Sequence, residues 1–409
     1  MDIVRNIAEL DRKIMECDAA ERVSDDAMRA VFGSFCMDPP AHLTTMDPFS
    51  VEYRRAQLAL YEEITGRSYS DGEEITKFDI RAALRRPFPF TTGSSATAGE
   101  YFMAIGFVLK TMALPPNSRI LEFGPGWGFT SLWLAQLGHR VTVVDIEPCF
   151  CELIAQRAER ENVSIEIVNG NFFWTESVDR TFDAVLFYDC FHHCDDHERL
   201  LRALVRIVAA DGRIFFGAEP IIPDFPLPWG LRLDGWSLWG IRKNGWMELG
   251  FRDDYFAQIL ERTGWFGRKI AIEGADRLRV WEARHRESVR FFYAADDARL
   301  HTQVGTRRGG RIVIENAPAG TAIFGPYIDL PPGRYEAKIV FSAPVQGQAV
   351  IDVSSRHGQD VLSRAMVKGA EGRLTFQVSQ PISGVEVRLF SHKGLTAIVD
   401  HVEIGLATD

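Results

Sequence analysis

The pattern of apolar and polar positions changes twice along the 409-residue chain. Near the N-terminus, Ile3, Ile7 and Leu10 recur at three- and four-residue steps, the spacing of one face of a helix. A second stretch of this kind begins at Asp47 and ends at Gly66, a residue that often follows the last turn of a helix. Residues 1–95 are therefore predicted to form an N-terminal helical cap.

Between residues 96 and 290, short apolar runs alternate with amphipathic stretches. Strands that alternate with helices indicate a parallel sheet covered on both faces. The predicted helices are 100–113, 127–138, 148–160, 196–209 and 252–263, and the predicted strands are 119–123, 141–145, 164–168, 182–188, 213–217, 268–272 and 278–283. This order predicts a doubly wound α/β domain with a mostly parallel, seven-stranded, Rossmann-like sheet.

From residue 305 to 409 the period of the pattern becomes two. Segments such as 333–341 and 372–378 alternate apolar with polar residues, and turn residues separate them at short intervals. This pattern is typical of an antiparallel β-sandwich or jelly roll. No tryptophan or cysteine follows Trp281, which supports a separate C-terminal domain.

Composition narrows the class of protein. A hydrophobic share of 46% is that of ordinary globular cores, and a formal charge of -10 argues against nucleic acid as the main partner. No apolar run approaches the ~20 residues of a membrane span. The six cysteines lack the spacing of a disulfide framework, and the N-terminus lacks a signal-peptide pattern. We therefore expect a cytoplasmic protein, and no pattern predicts its oligomeric state.

A glycine-rich turn follows the first predicted strand of the α/β domain. Gly124, Gly126 and Gly128 allow a sharp turn that passes close to a ligand, and Asp145 ends the next strand about twenty residues on. A dinucleotide fingerprint would need a third glycine at Phe129, and no lysine follows as in a phosphate loop. The turn therefore favours a nucleoside ligand that is not held by its phosphates.

The segment Glu122–Gly128 resembles the first motif of class I S-adenosylmethionine-dependent methyltransferases. The segments 168–173, 181–187 and 210–216 are similar to the later strands of that family in order and spacing. The resemblance implies S-adenosylmethionine as cofactor and a set of cofactor-binding residues: Glu122, Gly124, Pro125, Gly126, Gly128, Asp145, Ile146, Asn171, Phe172 and Asp189.

Methyl transfer to a hydroxyl group also requires removal of a proton. His192 and His193 follow the fourth predicted strand, and Glu219 follows the fifth, so all three lie where the carboxyl ends of parallel strands meet. We predict these three residues to be catalytic, with His193 favoured as general base and Glu219 binding an acceptor hydroxyl or orienting the base. The histidines could instead cap a helix or stack under the cofactor. Cys190 and Cys194 with the histidines are ligand types for zinc, but no second ligand knuckle appears, so no metal ion is predicted. A magnesium site built from Asp189, Asp195 or Asp196 stays the alternative.

An insertion before the helix at 252 suggests the acceptor. It concentrates tryptophans beside charged residues, which suits stacking on a sugar ring, so a substrate-binding role is predicted for Trp229, Trp236, Trp239, Arg242 and Trp246. The alternative is a lid packed on itself or on the N-terminal helices. In the C-terminal domain, the segment 324–335 resembles β-sandwich modules of bacterial polysaccharide-modifying enzymes.

Three functions stay open at this point. The resemblance, with the insertion, favours O-methylation of a saccharide or glycan intermediate. A small non-sugar nitrogen, carbon or phenolic acceptor is the second possibility. The third is a glycan-binding or assembly subunit with an idle cofactor domain. The segment 86–95, rich in proline and serine, is predicted to link the helical cap to the cofactor domain.

Overall fold

The computed structural model describes residues 1–75, 78–86, 94–272, 274–275, 277–286 and 290–407. The chain divides into two compact units, Met1–His285 and Arg286–Asp409. Most of the predicted linker at 86–95 lies outside the described residues. Among the described residues, no helix is both long enough and apolar enough to cross a membrane.

The first unit contains the predicted helices. Those of the described residues are α1 Ile7–Glu21, α2 Asp25–Phe32, α3 Val51–Thr65, α4 Ile80–Leu84, α5 Ser95–Met112, α6 Phe129–Gln136, α7 Pro148–Arg160, α8 His197–Ile207, α9 Gly235–Trp239 and α10 Asp253–Arg262. Local sequence explains their ends. The side chain of Ser50 accepts a hydrogen bond from the backbone of Tyr53 at the start of α3, and Gly66 ends that helix in a left-handed conformation.

The strands of the first unit are β1 Asp2–Ile3, β2 Phe35–Cys36, β3 Arg119–Phe123, β4 Arg140–Asp145, β5 Ile165–Asn169, β6 Phe182–Tyr188, β7 Val208–Gly217, β8 Ile221–Ile222, β9 Trp229–Leu231, β10 Leu249–Arg252, β11 Trp265–Ala271 and β12 Arg279–His285. The main sheet has the order β11-β12-β7-β6-β3-β4-β5. Strands β3 to β7 run parallel to one another, whereas β12 is antiparallel to both β7 and β11. The predicted mostly parallel sheet is therefore observed.

The N-terminal helices belong to the same unit as the sheet. Leu10 of α1 and Tyr61 of α3 are fully buried in a hydrophobic core that also contains Phe187 of β6 and Phe251 of β10. The predicted cap at 1–95 is thus continuous in packing with the α/β part, and the two form one compact unit. The sequence pattern changes near residue 95, but the hydrophobic core continues across that position, so the predicted boundary is not a boundary between compact units.

The insertion forms a small sheet that the sequence did not predict. Strand β10 pairs in parallel with β8 and antiparallel with β9, and α9 lies between β9 and β10 along the chain. These strands have two to four residues each, so no alternating pattern was long enough to reveal them.

The second unit is built from antiparallel strands: β13 Arg290–Ala294, β14 Thr306–Arg308, β15 Arg311–Ala317, β16 Gly320–Ile323, β17 Pro326–Leu330, β18 Gly333–Phe341, β19 Ala349–Ser355, β20 Asp360–Met366, β21 Glu371–Val378, β22 Ile382–Ser391 and β23 Leu395–Leu406. They form two sheets of six and five strands with one shared core. The unit begins at Arg286 rather than at residue 305, because β13 pairs with β23.

Candidate functional site

The glycine turn has the conformation that its sequence suggests. Gly124, Gly126 and Gly128 have φ values of 52°, 50° and 74°, which lie in the left-handed region. At Gly124, a Cβ atom would lie 2.6 Å from the Cβ of Cys190, so the turn also needs a small residue to pass the loop after β6. This contact places the turn next to the segment that carries the histidines.

Two buried carboxylates flank the turn. Glu122 is 0% exposed, and its two oxygens accept hydrogen bonds from the hydroxyls of Thr130 and Ser131 at the start of α6. Asp145 is 5% exposed and accepts hydrogen bonds from the backbone N–H groups of Gly126, at 3.2 Å, and Glu147, at 2.9 Å. Burial raises the pKa of Glu122 to about 7 and that of Asp145 to about 6. A cationic ligand beside these acids would favour their charged forms.

The other predicted cofactor residues lie around the same strand ends. The carbonyl of Pro125 accepts a hydrogen bond from Gly128 N within the turn, and that of Ile146 accepts one from Asn169 Nδ2. Asn171 and Phe172 follow β5, and Phe172 packs with its ring centroid 5.7 Å from that of Phe123. Asp189 is exposed. Their contacts with a cofactor stay predictions.

Glu219 joins the loop after β7 to the loop after β6. Its Oε1 accepts hydrogen bonds from the backbone N–H groups of Cys190 and Phe191, each at 2.8 Å. Its Oε2 accepts from the backbone N–H of His192 at 3.2 Å and lies 2.8 Å from His192 Nδ1. Together with the approach of Gly124 to Cys190, these bonds join the carboxyl ends of β3, β6 and β7. Glu219 binds the backbone of residues 189–196, which we call the histidine loop.

His192 is buried, with 3% of its surface exposed. An ionised Glu219 can only accept a hydrogen bond from Nδ1, so it favours the tautomer with the proton on that nitrogen and leaves a lone pair on Nε2. Nε2 lies 3.6 Å from Oε2 of Glu248 in the insertion. Burial and the adjacent charge of His193 lower the pKa of His192, so this ring is neutral. A neutral imidazole held by a carboxylate can accept a proton.

His193 has the opposite charge state. Its Nδ1 lies 3.1 Å from Oε2 of Glu74. Burial lowers the pKa of His193, but the carboxylate of Glu74, together with Glu248 and Glu219, outweighs burial and raises it to about 9. This ring therefore carries a proton at neutral pH.

The insertion tryptophans pack against the N-terminal helices. Trp229 is 3% exposed and donates a hydrogen bond from Nε1 to the carbonyl of Pro48 at 2.8 Å. Phe32 of α2 lies 5.0 Å from Trp236 and 5.7 Å from Trp239, measured between ring centroids.

The other two insertion residues, Arg242 and Trp246, also contact protein side chains. Arg242 forms an ion pair with Asp11 of α1 at 2.7 Å, and Trp246 lies 6.3 Å from Trp239. These contacts correspond to the alternative of a lid packed on the N-terminal helices. Because their apolar and charged groups already have protein partners, we leave the five insertion residues out of the proposed acceptor site.

Sequence reasoning missed the contribution of the N-terminal part to this site. Asp71 accepts a hydrogen bond from Asn171 Nδ2 at 2.7 Å, and Glu74 contacts His193. The run of acids at 71–74 carries no signal that separates it from a solvated surface. About 120 residues separate Glu74 from its partner, so only the fold brings them together.

The histidine pair also has ligand types that metal ions bind. Atoms of His192, His193 and Glu248 lie within 4.8 Å of one another. Two protein cations already lie beside the carboxylate of Glu248: Arg232, at 3.4 Å from Oε2, and the charged ring of His193. We therefore interpret it as an ion network.

Comparisons with known proteins identify the class of the first unit. Residues 121–216 match the family model described as "Methyltransferase domain". The chain is 26% identical over 171 residues to the glycine/sarcosine/dimethylglycine N-methyltransferase of Actinopolyspora halophila, covering 39% of this chain and 29% of that protein. It is 33% identical over 167 residues to the ubiquinone biosynthesis O-methyltransferase of Methylocella silvestris, covering 37% and 65%.

Among solved structures, the chain is similar to the 1,6-didemethyltoxoflavin-N1-methyltransferase of Burkholderia thailandensis. The TM-score is 0.35 at 19% identity, covering 59% of this chain and 93% of that chain. A TM-score this low is too weak to argue from.

The matched region contains the glycine turn, Asp145 and the histidine pair. Residues 121–216 of the first unit therefore match a methyltransferase domain, and the comparisons support S-adenosylmethionine as its cofactor. The chain spans less than half the length of the first curated relatives it matches.

Proposed function

We propose that this protein transfers the methyl group of S-adenosylmethionine to a hydroxyl group of a polyhydroxylated acceptor, a saccharide or glycan intermediate. The observation that carries the proposal is the buried pair of His192 and Glu219 beside the glycine turn, with Nδ1 and Oε2 at 2.8 Å. When the acceptor oxygen attacks, the bond between sulfur and the methyl carbon breaks, and S-adenosylhomocysteine leaves.

The hydroxyl proton must go to a group that is unprotonated at working pH. The sequence favoured His193, but its contact with Glu74 keeps that ring protonated. We propose His192 instead, because Nε2 is free to accept a proton while Glu219 stabilises the resulting imidazolium through Nδ1. Glu219 would therefore orient the base rather than bind the acceptor.

The class of acceptor follows from the groups around the histidines. Glu74, Glu248 and Arg232 are charged side chains that can exchange hydrogen bonds with several hydroxyls at once. An apolar quinone would instead need apolar walls, whereas the groups around the histidines are charged. This supports a sugar more than an aromatic acceptor.

A test uses S-adenosylmethionine with a labelled methyl group and a panel of oligosaccharides and nucleotide sugars. Methyl transfer to a sugar hydroxyl is expected. His192→Gln should lower turnover by about 10²-fold or more while cofactor affinity, measured by calorimetry, stays unchanged. Phe292→Ala, in the second unit, is the control and should keep full turnover. Label found only on non-sugar compounds would refute the saccharide acceptor.

A second candidate acceptor is a small amine. Around the histidines, the carboxylates of Glu74, Glu219 and Glu248 outnumber the nearby arginine, and an excess of negative charge attracts an ammonium group. One relative of this chain is a glycine/sarcosine/dimethylglycine N-methyltransferase. Including glycine, sarcosine and simple amines in the same panel separates the two candidates.

A further inference from the structure

A short segment of the N-terminal part reaches three loops at the carboxyl end of the sheet. Tyr69 donates a hydrogen bond from its hydroxyl to the carbonyl of His193 at 3.3 Å. Asp71 accepts from Asn171 at 2.7 Å. Glu74 accepts from the backbone N–H of Met247 at 2.8 Å. Residues 69–74, which we call the acidic segment, are therefore bonded to the loop after β5, the histidine loop and the insertion.

The two oxygens of Glu74 have different partners. Oε1 is held by the backbone of Met247, and Oε2 lies 3.1 Å from Nδ1 of His193. Only 12% of the Glu74 side chain is exposed. Because one oxygen is fixed by a backbone N–H, the carboxylate cannot rotate freely, and the other oxygen stays at the His193 ring.

The charge of His193 affects its neighbour. The rings of His192 and His193 lie 4.3 Å apart, measured between centroids. Two imidazolium ions at this distance repel each other, so a proton on one ring disfavours a proton on the other. The carboxylates that act on His193 belong to Glu74, Glu248 and Glu219, and its own charge in turn favours the ionised form of Asp145. Among them, Glu74 is in direct contact with the His193 ring, with Oε2 at 3.1 Å from Nδ1.

We propose that Glu74 is a positioning residue of the methyl-transfer site: its carboxylate holds His193 as an imidazolium and thereby leaves His192 as the group that accepts the acceptor proton. This inference rests on the proposed function. It gives the N-terminal part a role in the reaction, since the segment that carries Glu74 sets which of two adjacent histidines is the base.

The experiment compares Glu74→Gln with Glu73→Gln. Glu73 is the neighbouring acid of the same segment, and its ion pair at 2.9 Å is with Arg67 instead of a histidine. Ring ¹⁵N chemical shifts of the full chain are followed by NMR from the lowest pH at which the chain stays folded up to pH 10, with His192→Gln and His193→Gln spectra for assignment. Glu74→Gln should lower the pKa of His193 by about one unit or more and raise that of His192, while Glu73→Gln changes neither.

The same variants are assayed for methyl transfer across that pH range. In Glu74→Gln the acid limb of kcat should move to higher pH, because loss of the imidazolium charge on His193 lets His192 be protonated more easily. Glu74→Asp, which keeps the charge, should restore part of the activity and of the His193 titration. It also serves as the second variant should Glu74→Gln unfold.

Unchanged histidine titration in a folded Glu74→Gln protein would overturn the inference, as would equal shifts in Glu73→Gln. The NMR titration needs no acceptor. Absence of methyl transfer to every compound of the panel would therefore refute the proposed function, while the role of Glu74 in the histidine pair is decided by the spectra.

Discussion

Buried acids determine the chemistry at the cofactor end of the sheet. Glu122 and Asp145 are almost completely buried, and neither forms an ion pair among the described residues. Burial of a carboxylate without a cation disfavours its charged form, which is why both pKa values are raised. A ligand that carries an ammonium and a sulfonium group would supply the missing positive charge.

Cofactor binding should therefore depend on pH. In the folded protein the pKa values of both acids lie above their ordinary values, so protonation of these acids stabilises the fold. This contribution to stability is complete below about pH 4 and is lost as the pH rises through 6 to 7. The cationic cofactor favours the ionised acids, so its affinity should rise between pH 5 and 7.5. Calorimetry in buffers of different ionisation enthalpy should show proton release on binding.

Asp145→Asn should weaken cofactor affinity by about tenfold or more and flatten this pH dependence. Asp183→Asn is the matched control, since Asp183 lies on the same sheet but is paired with Arg119 at 2.7 Å. Equal losses in both variants would show that the effect is not specific to the cofactor groove.

At the scale of elements, the glycine turn joins β3 to α6 and touches the histidine loop. All three glycines have left-handed conformations, but their surroundings differ. A Cβ at Gly124 would overlap Cys190, whereas a Cβ at Gly126 meets no protein atom within 4 Å. The same substitution at the two positions therefore separates backbone strain from steric overlap.

Gly126→Ala should lower the free energy of unfolding by about 1–2 kcal/mol, the strain of a left-handed alanine. Gly124→Ala should lower it by a further ~1–3 kcal/mol, because the histidine loop must move. Urea unfolding measures both values. A similar loss of unfolding free energy in the two variants would mean that the loop around Cys190 moves aside without destabilising the protein.

At the scale of the whole molecule, the two units have separate hydrophobic cores. The core of the second unit contains residues from Tyr293 to Ile404, and the cores around the main sheet contain residues from Val4 to Ala283. A unit with its own core can fold by itself. Strand β12 is the last element of the first unit and pairs with both β7 and β11.

A chain that ends at residue 286 should therefore fold and bind S-adenosylmethionine with an affinity within about twofold of the full chain. A chain that ends at residue 277 lacks β12 and should not fold, because β7 would lose its antiparallel neighbour and β11 its only partner among the described strands. Circular dichroism and calorimetry check both. Loss of cofactor binding in the chain that ends at residue 286 would show that the first unit needs the second unit to bind the cofactor.

Much of the fold could be predicted from the chain alone. The strands from β3 to β6 were placed within one residue at each end, because each is a short run rich in apolar residues, as is typical of parallel strands. The period-two pattern beyond residue 305 likewise predicted antiparallel strands. The glycine turn and Asp145 were found because their residues are close in sequence and each has a local conformational reason.

The tertiary structure decided what depends on distant partners. It packed Trp236 and Trp239 against Phe32 of α2 and joined the N-terminal helices to the sheet core, and it placed Glu74 beside His193. It also gave two adjacent histidines, which are chemically identical in the sequence, opposite pKa shifts. A pKa depends on burial and on charges from any part of the chain, so the assignment of the base required the fold.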